Sequence, residues 1–247
     1  MDTDPLDEQT AVVTGASAGI GAATCRRLAA AGANVVLAAR SEDRLATLAE
    51  ELEANHGVET LVVPTDVRKE YAVDALFSET LKAFDGIDIL VNNAGLARGS
   101  DVAELSNDQY NAMQETNVDG VFYMTRKAIP HLRESEGHLI FLGSVAGQYP
   151  RSFNPVYAAS KWWVRGFAKS MAAQIGDDGV GVTVVNPSEV RSEFEATDGR
   201  TFAEVFDETE ATEPEEVAEA IVFAATREGS SLSEIDVTRR DKFADAF

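Results

Sequence analysis

Short runs of β-branched and aliphatic residues recur along the chain. Between them lie longer stretches in which apolar positions return every three or four residues. The apolar runs fall at 10–14, 34–38, 60–63, 87–91, 138–142 and 181–185 and predict strands. The amphipathic stretches predict a helix from about Ala22 to Ala31 and others over 41–55, 71–84, 106–133 and 155–174. Strands that are apolar throughout, rather than alternating, are buried on both faces, as in a parallel sheet covered by helices on each side. No linker, low-complexity tract or repeat divides the 247 residues. The pattern therefore predicts a single doubly wound α/β domain, with a mostly parallel sheet flanked by helices on both faces. It breaks only at 188–216, where 29 residues hold 11 acids and two Arg with little periodicity. A long irregular insertion late in such a fold predicts a lid.

Charge narrows the partners. Forty-two Asp and Glu against 21 Lys and Arg give a net charge of −21, spread over both halves of the chain. Such a field repels nucleic-acid backbones and anionic membrane surfaces. Only six of the basic residues are Lys, and scarce Lys with excess carboxylate resembles proteins of extreme halophiles. An ordinary acidic cytosolic protein is the alternative. One cysteine, Cys25, excludes an internal disulfide and fits a reducing compartment. It falls in a predicted helix and reads as a small core residue. The acidic start has no apolar core of a signal peptide, and no run of 18 apolar residues suggests a membrane span. A cytoplasmic location is expected. The acids are not evenly spread, since residues 137–176 contain none. Burial is the ready explanation, which predicts that this segment lies mostly in the core, a functional site and a subunit contact.

Chemistry-bearing residues gather at the ends of predicted strands. The first strand runs into Thr14-Gly15-Ala16-Ser17-Ala18-Gly19-Ile20-Gly21 and then a helix. Gly15, Gly19 and Gly21 would let the backbone approach a pyrophosphate at the positive end of that helix, although a bare strand-to-helix turn looks the same. No Lys-Ser/Thr pair follows, which excludes a nucleoside-triphosphate loop. The second strand ends in Ala39-Arg40, where a dinucleotide site selecting NAD carries an acid. Arg40, with Ser17, favours the 2′-phosphate of NADP; a surface pair between Arg40 and Glu42 or Asp43 is the alternative. Ser144 follows the fifth strand, and Tyr157 and Lys161 share one helix face. A neighbouring ammonium would lower the phenol toward neutrality and make it a usable acid.

TGASAGIG, the NNAG of Asn92–Gly95, Asn117, Ser144 and YAASK stand in the order and spacing of the classical short-chain dehydrogenase/reductase family, which the chain resembles over roughly residues 9–226. The resemblance implies a Rossmann-type fold and interconversion of a secondary alcohol or hydroxy acid with its carbonyl by hydride transfer. It assigns Tyr157 as general acid/base and Ser144 as the donor to the substrate oxygen. Lys161 would hold the nicotinamide ribose and tune Tyr157, and Asn117 would anchor a water relay to that lysine. Asp66 would contact adenine. Gly15, Ser17, Gly19, Ile20, Gly21, Arg40, Val67, Asn93, Ala94, Gly95, Pro187, Val190 and Ser192 would complete the NADP site. Asn92 would brace the sheet, and Thr14 the turn. No metal is implied, and His56, His131 and His138 lack ligand spacing. Family members are usually homotetramers, so a homo-oligomer is expected. The family's Pro-Gly-x-x-x-Thr is here Pro187-Ser188-Glu189-Val190-Arg191-Ser192, which leaves the backbone at Ser188 and the start of the lid open.

The strings VYAASK and SEVRSEF loosely resemble the branch of NADP-dependent 3-hydroxy acid (serine-type) dehydrogenases, where Arg151 or Arg191 would meet a substrate carboxylate. A 3-oxoacyl thioester reductase is the enzymatic rival, although the acidic lid is a poor entrance for a phosphorylated carrier. A non-catalytic NADP-binding redox sensor is the remaining alternative, against which both Tyr157 and Lys161 speak. Trp162 and Trp163 point about 100° apart on a helix, so at most one lines a pocket.

Overall fold

The computed structural model describes residues 4–99, 101–195 and 199–242. Seven parallel strands form one sheet: β1 (Thr10–Thr14), β2 (Asn34–Ala39), β3 (Thr60–Pro64), β4 (Ile89–Asn92), β5 (His138–Leu142), β6 (Gly181–Pro187) and β7 (Glu234–Val237). Their order is β3-β2-β1-β4-β5-β6-β7. The chain reverses its direction of winding between β1 and β4, so the carboxyl ends of those strands diverge into a crevice.

Strand burial follows the two-residue period of a pleated sheet. Val13, Leu37, Val91, Ile140 and Val185 point to one face and pack with α1 (Gly19–Ala30), α2 (Glu42–His56) and α8 (Pro214–Ala225). Val12, Val36, Leu90, Phe141 and Val184 point to the other and pack with α3 (Glu70–Ala83), α5 (Val121–Ser135) and α6 (Pro155–Ile175). Each such side chain, removed from water, contributes about 1.5–3 kcal/mol. Both layers are needed for this sheet to exclude water.

Six strands lie where the pattern predicts them, although β4 begins two residues late and β6 runs two further. The seventh, β7, escapes prediction because Glu-Ile-Asp-Val is short, half polar and on the sheet edge. The predicted helix over 106–133 is not continuous. It comprises α4 (Asn107–Gln114), a π turn over Glu115–Gly120, and α5. Within 188–216 the chain makes a bridge between Val190 and Thr212, another between Glu195 and Thr201, and the short α7 (Phe202–Val205). The last three residues of that stretch already belong to α8. Residues 196–198 lie outside the described part.

Burial across the acid-free segment is one-sided. β5 is buried, and α6 buries Tyr157, Ala158, Ser160, Lys161, Val164, Ala168, Met171 and Ile175. Its outer face, with Trp162, Gly166, Lys169 and Ala173, is exposed on the single chain. Trp163 stacks on Phe167 with centroids 4.7 Å apart, whereas Trp162 faces outward, and neither lines the cleft described below.

Candidate active site

The crevice at the carboxyl edge is a cleft of about 510 Å³. One end is the turn from β1 into α1. Gly15 and Gly19 adopt positive φ (66° and 51°), and a Cβ on Gly21 would lie 2.1 Å from the Gly15 carbonyl oxygen. The turn is held from below. Thr14 Oγ1 donates to Val91 O and accepts from the Asn93 and Ala94 amides, while Asn93 Nδ2 donates to Thr14 O at 2.8 Å. Asn93 thus spends its side chain on the turn. Asn92 is buried and donates to Thr125 Oγ1.

This end suits a diphosphate. The residue before α1, Ala18, offers no side-chain cap to the first-turn amides, and that turn has no acid, although acids are favoured at such positions. By contrast, α2 and α3 both begin with acids. The unpaired amides of Gly19, Ile20 and Gly21 therefore border the cleft as free donors. Ser17 and Arg40 border it further along, at the end of β2. Asp66 and Val67 form the wall after β3; Arg68 grips the Asp66 carboxylate at 2.6–3.0 Å and holds its pKa below the ordinary range.

The other end holds the polar cluster. Gly143 leads β5 into Ser144, whose Oγ accepts from the Ala146 amide and starts a single 3₁₀ turn. Gly147 lets that turn rest on α6, because a Cβ there would sit 2.7 Å from Lys161 O. Asn154, in the left-handed region (φ 54°), caps α6 by accepting from the Tyr157 amide. Pro155 follows at the helix start, where its missing N–H costs nothing. Tyr157 and Lys161 then face the cleft one turn apart, and Ser144 hydrogen-bonds the phenol.

The electrostatics differ from the expectation of a lowered phenol. Burial raises the pKa of Tyr157, with Ser144 and Arg151 pulling partly against it. Lys161 is not among those influences. Its Nζ donates to Leu142 O at 2.7 Å and lies 5.8 Å from the Tyr157 ring centre. Burial also strips water from the ammonium and brings its pKa down from 10.5 to about 8. Both groups are thus driven toward their neutral forms.

Asn117 lies behind the cleft rather than in its wall. Its Oδ1 accepts from the Leu96 amide, and its Nδ2 donates to Leu96 O and Ser160 Oγ. Ser160 Oγ in turn donates to Tyr157 O. Gly95 separates Asn117 from Lys161, since a Cβ there would be 3.4 Å from the amide oxygen and 3.6 Å from Nζ. The π turn is where this side chain is presented, a helical irregularity that recurs at functional sites.

Pro187, Ser188, Val190 and Ser192 close the roof; a Cβ on Gly19 would lie 3.0 Å from the Ser192 Cβ. Ser188 Oγ is buried without a protein partner. Sequence reasoning missed the rest of the roof. Phe194 packs against Tyr157 (5.8 Å between centroids), and Phe202 against Phe194 (5.5 Å). Glu193 and Glu195 reach opposite walls, to Arg44 at 2.5 Å and Arg98 at 2.6 Å. Only Arg44, in the first turn of α2 and four residues after Arg40, left a local signal. Arg191 does not border the cleft and pairs with Glu213 at 2.8 Å. Among the described residues no three His, Cys, Asp or Glu converge as for a metal, and no helix is long and apolar enough to cross a membrane.

Comparison with known proteins agrees with this architecture. The family model for short chain dehydrogenase matches residues 9–201. An uncharacterised oxidoreductase of Staphylococcus aureus (strain MRSA252) is 35% identical over 223 residues, which is 90% of this chain and 93% of that protein. The closed form of a serine dehydrogenase complexed with NADP+ superposes with a TM-score of 0.83 at 31% identity, covering 93% of this chain and 94% of the other. A 3-ketoacyl-(acyl-carrier-protein) reductase from Brucella melitensis, complexed with NADH, gives 0.84 at 28% identity, over 94% and 98%. A seven-stranded parallel sheet, a glycine turn at its switch point and a buried Ser-Tyr-Lys cluster facing the same cleft are what this kinship leads one to expect: the chain belongs to the short chain dehydrogenase family.

Proposed function

We propose that the protein interconverts a secondary alcohol or hydroxy acid and its carbonyl compound, with NADP as the cofactor. One observation carries the reading: the phosphate-suited turn and the Ser144–Tyr157–Lys161 cluster are opposite ends of one cleft. Gly15, Gly19, Ile20 and Gly21 would hold the diphosphate by backbone donors. Ser17 and Arg40 would hold the 2′-phosphate, Asp66 and Val67 the adenine side. Asn93, Ala94, Gly95, Pro187, Val190 and Ser192 would border the nicotinamide half. Bound there, the cofactor supplies or accepts a hydride at the substrate carbon.

In reduction the Tyr157 hydroxyl gives its proton to the substrate oxygen, and in oxidation the phenolate takes it back. Ser144 Oγ donates to the same oxygen and fixes its direction. Lys161 acts from the ribose side, where a protonated amine favours the phenolate. Asn117 positions the helix through Ser160 and keeps the Lys161 side open by its hold on Leu96. Phe194 and Phe202 exclude water from above, which makes the stretches 188–195 and 199–213, ahead of α8, the lid. Tyr157→Phe tests the assignment: turnover should fall by about 10²–10⁴, the usual weight of a positioned acid. NADPH affinity should stay within about twofold. Unchanged turnover would reject Tyr157 as the acid.

A 3-hydroxy acid substrate is supported by Arg151. Neither Arg151 nor Arg191 borders the cleft itself, but Arg151 is close enough for its charge to act on Tyr157, with its guanidinium over Phe153, whereas Arg191 is engaged with Glu213. Turnover of acetoacetyl thioesters but of no hydroxy acid would favour the reductase rival. Self-association is supported by the carboxylate-free outer face of α6 with Trp162, beside Phe122 on α5. Light scattering of the native protein against Trp162→Glu would read it, and a monomer at micromolar concentration would refute it.

A further inference from the structure

We propose that Arg44 is a second reader of the 2′-phosphate and that Glu193, from the roof, competes with that phosphate for it. The inference rests on the NADP reading above. Arg40, in the link after β2, and Arg44, in the first turn of α2, stand four positions apart and border the cleft together with Ser17 and Ser41. Arg44 Nη1 donates to Glu193 Oε2 at 2.5 Å. Both side chains are more than half exposed, 56% and 61%, so water and salt screen the pair and make it easy to break.

A guanidinium fork is matched to carboxylate and phosphate oxygens alike. A phosphate monoester carries close to two negative charges near neutral pH and three acceptor oxygens; Glu193 brings one charge. Held between Arg40 and Arg44, the phosphate would displace the carboxylate rather than join it, because two anions on one guanidinium repel. NADH has no such group and leaves Arg44 to Glu193. Glu193 therefore subtracts from NADPH affinity and not from NADH affinity, and its effect passes through Arg44.

The exchange also touches the roof. Glu193 is followed by Phe194 on the Tyr157 ring and by Glu195 on Arg98. Releasing Glu193 frees one of the two ionic ties that flank Phe194.

Affinities for NADPH and NADH, titrated by cofactor fluorescence without substrate, test this in four proteins: wild type, Arg44→Gln, Glu193→Gln and the double variant. Arg44→Gln should weaken NADPH about tenfold and NADH less than about twofold, as for loss of one charge-assisted contact. Glu193→Gln should tighten NADPH about threefold and leave NADH unchanged, and that gain should vanish in the Arg44→Gln background. A gain that persists there would show a general field effect and overturn the competition. Equal loss for both cofactors, or none, would overturn the role of Arg44. A wild type that binds NADH as tightly as NADPH, with Arg40→Gln leaving the ratio unmoved, would sink the NADP reading itself.

Discussion

Lys161→Met should make the protein more stable at neutral pH while disabling it. Lys161 is 5% exposed, and burial brings its amine from 10.5 to about 8. At about 1.4 kcal/mol per tenfold, the folded state disfavours the charged form by roughly 3 kcal/mol below that pH. Between pH 8 and 10.5 the unfolded chain binds a proton that the folded chain does not. Stability contributed by this residue therefore rises with pH through the window and is flat outside it. Methionine fills similar volume without the charge but removes the donor to Leu142 O, a loss of about 1–2 kcal/mol. The balance is a gain of about 1–2 kcal/mol at pH 7, or a melting temperature higher by roughly 2–6 °C for a chain of this size. Thermal and urea unfolding of both proteins from pH 6 to 10.5 measure it. The variant's advantage should shrink as pH climbs past 8, because only the wild type improves there. A variant that melts below the wild type at pH 7, by a margin that does not change with pH, would refute the reasoning. Turnover should drop by about a hundredfold or more, a case of a functional group kept at the expense of stability.

Other substitutions read other parts of the site. Gly21→Ala places a methyl 2.1 Å from Gly15 O and 2.6 Å from Asn93 Nδ2; cofactor affinity should fall at least about tenfold as the turn is displaced, and unaltered affinity by calorimetry would show that the turn yields freely. Asn154→Ala should cost about 2 kcal/mol in urea unfolding, from left-handed strain and a lost cap, and Asn154→Gly less, since glycine accepts the backbone. The reverse order would remove strain from the explanation. Screening of the −21 charge predicts a melting temperature that climbs by several degrees between about 0.1 and 2 M KCl, as the Debye length falls from about 10 Å to below 3 Å. A flat response would count against a surface adapted to salt.

Which features were legible depends on how local their causes are. Strands buried on both faces announce themselves as unbroken apolar runs, so β1, β2, β3 and β5 fall within a residue of expectation. The glycine turn and the Tyr157–Lys161 pair are legible because the chemistry needs fixed spacings on one element. Non-local choices were not. Nothing in the spacing over 106–133 reveals that six residues adopt a wider turn, because its inward positions, Thr116, Asn117 and Gly120, follow Met113 and precede Met124 at ordinary helical intervals. Phe194, Glu193 and Glu195 become meaningful only when the roof meets Tyr157, Arg44 and Arg98 from distant parts of the chain. Proximity to Lys161 suggested a lowered phenol, but the ammonium turns to Leu142 O and desolvation, which no spacing encodes, raises Tyr157 instead. The carboxylate gap at 137–176 marked the buried layer correctly on one side of α6 and remains a pointer on the other.

The π turn at Glu115–Gly120 fixes an angle as well as a side chain. An α-helix advances about 100° per residue, so the wide turn acts as a fixed phase step between α4 and α5. Deleting a single residue there would restore regular winding and rotate α5 by about that angle relative to α4. Met124, Thr125 and Leu132, all fully buried, would swing off the sheet, and the Phe122–Arg126 edge would turn toward it. Neither a conservative side-chain change nor a small backbone adjustment can absorb such a rotation. Residue type between 115 and 120 is constrained at Asn117 and at Gly120, where a Cβ would lie 2.8 Å from Val67 Cγ2, and the length there is quantised as well.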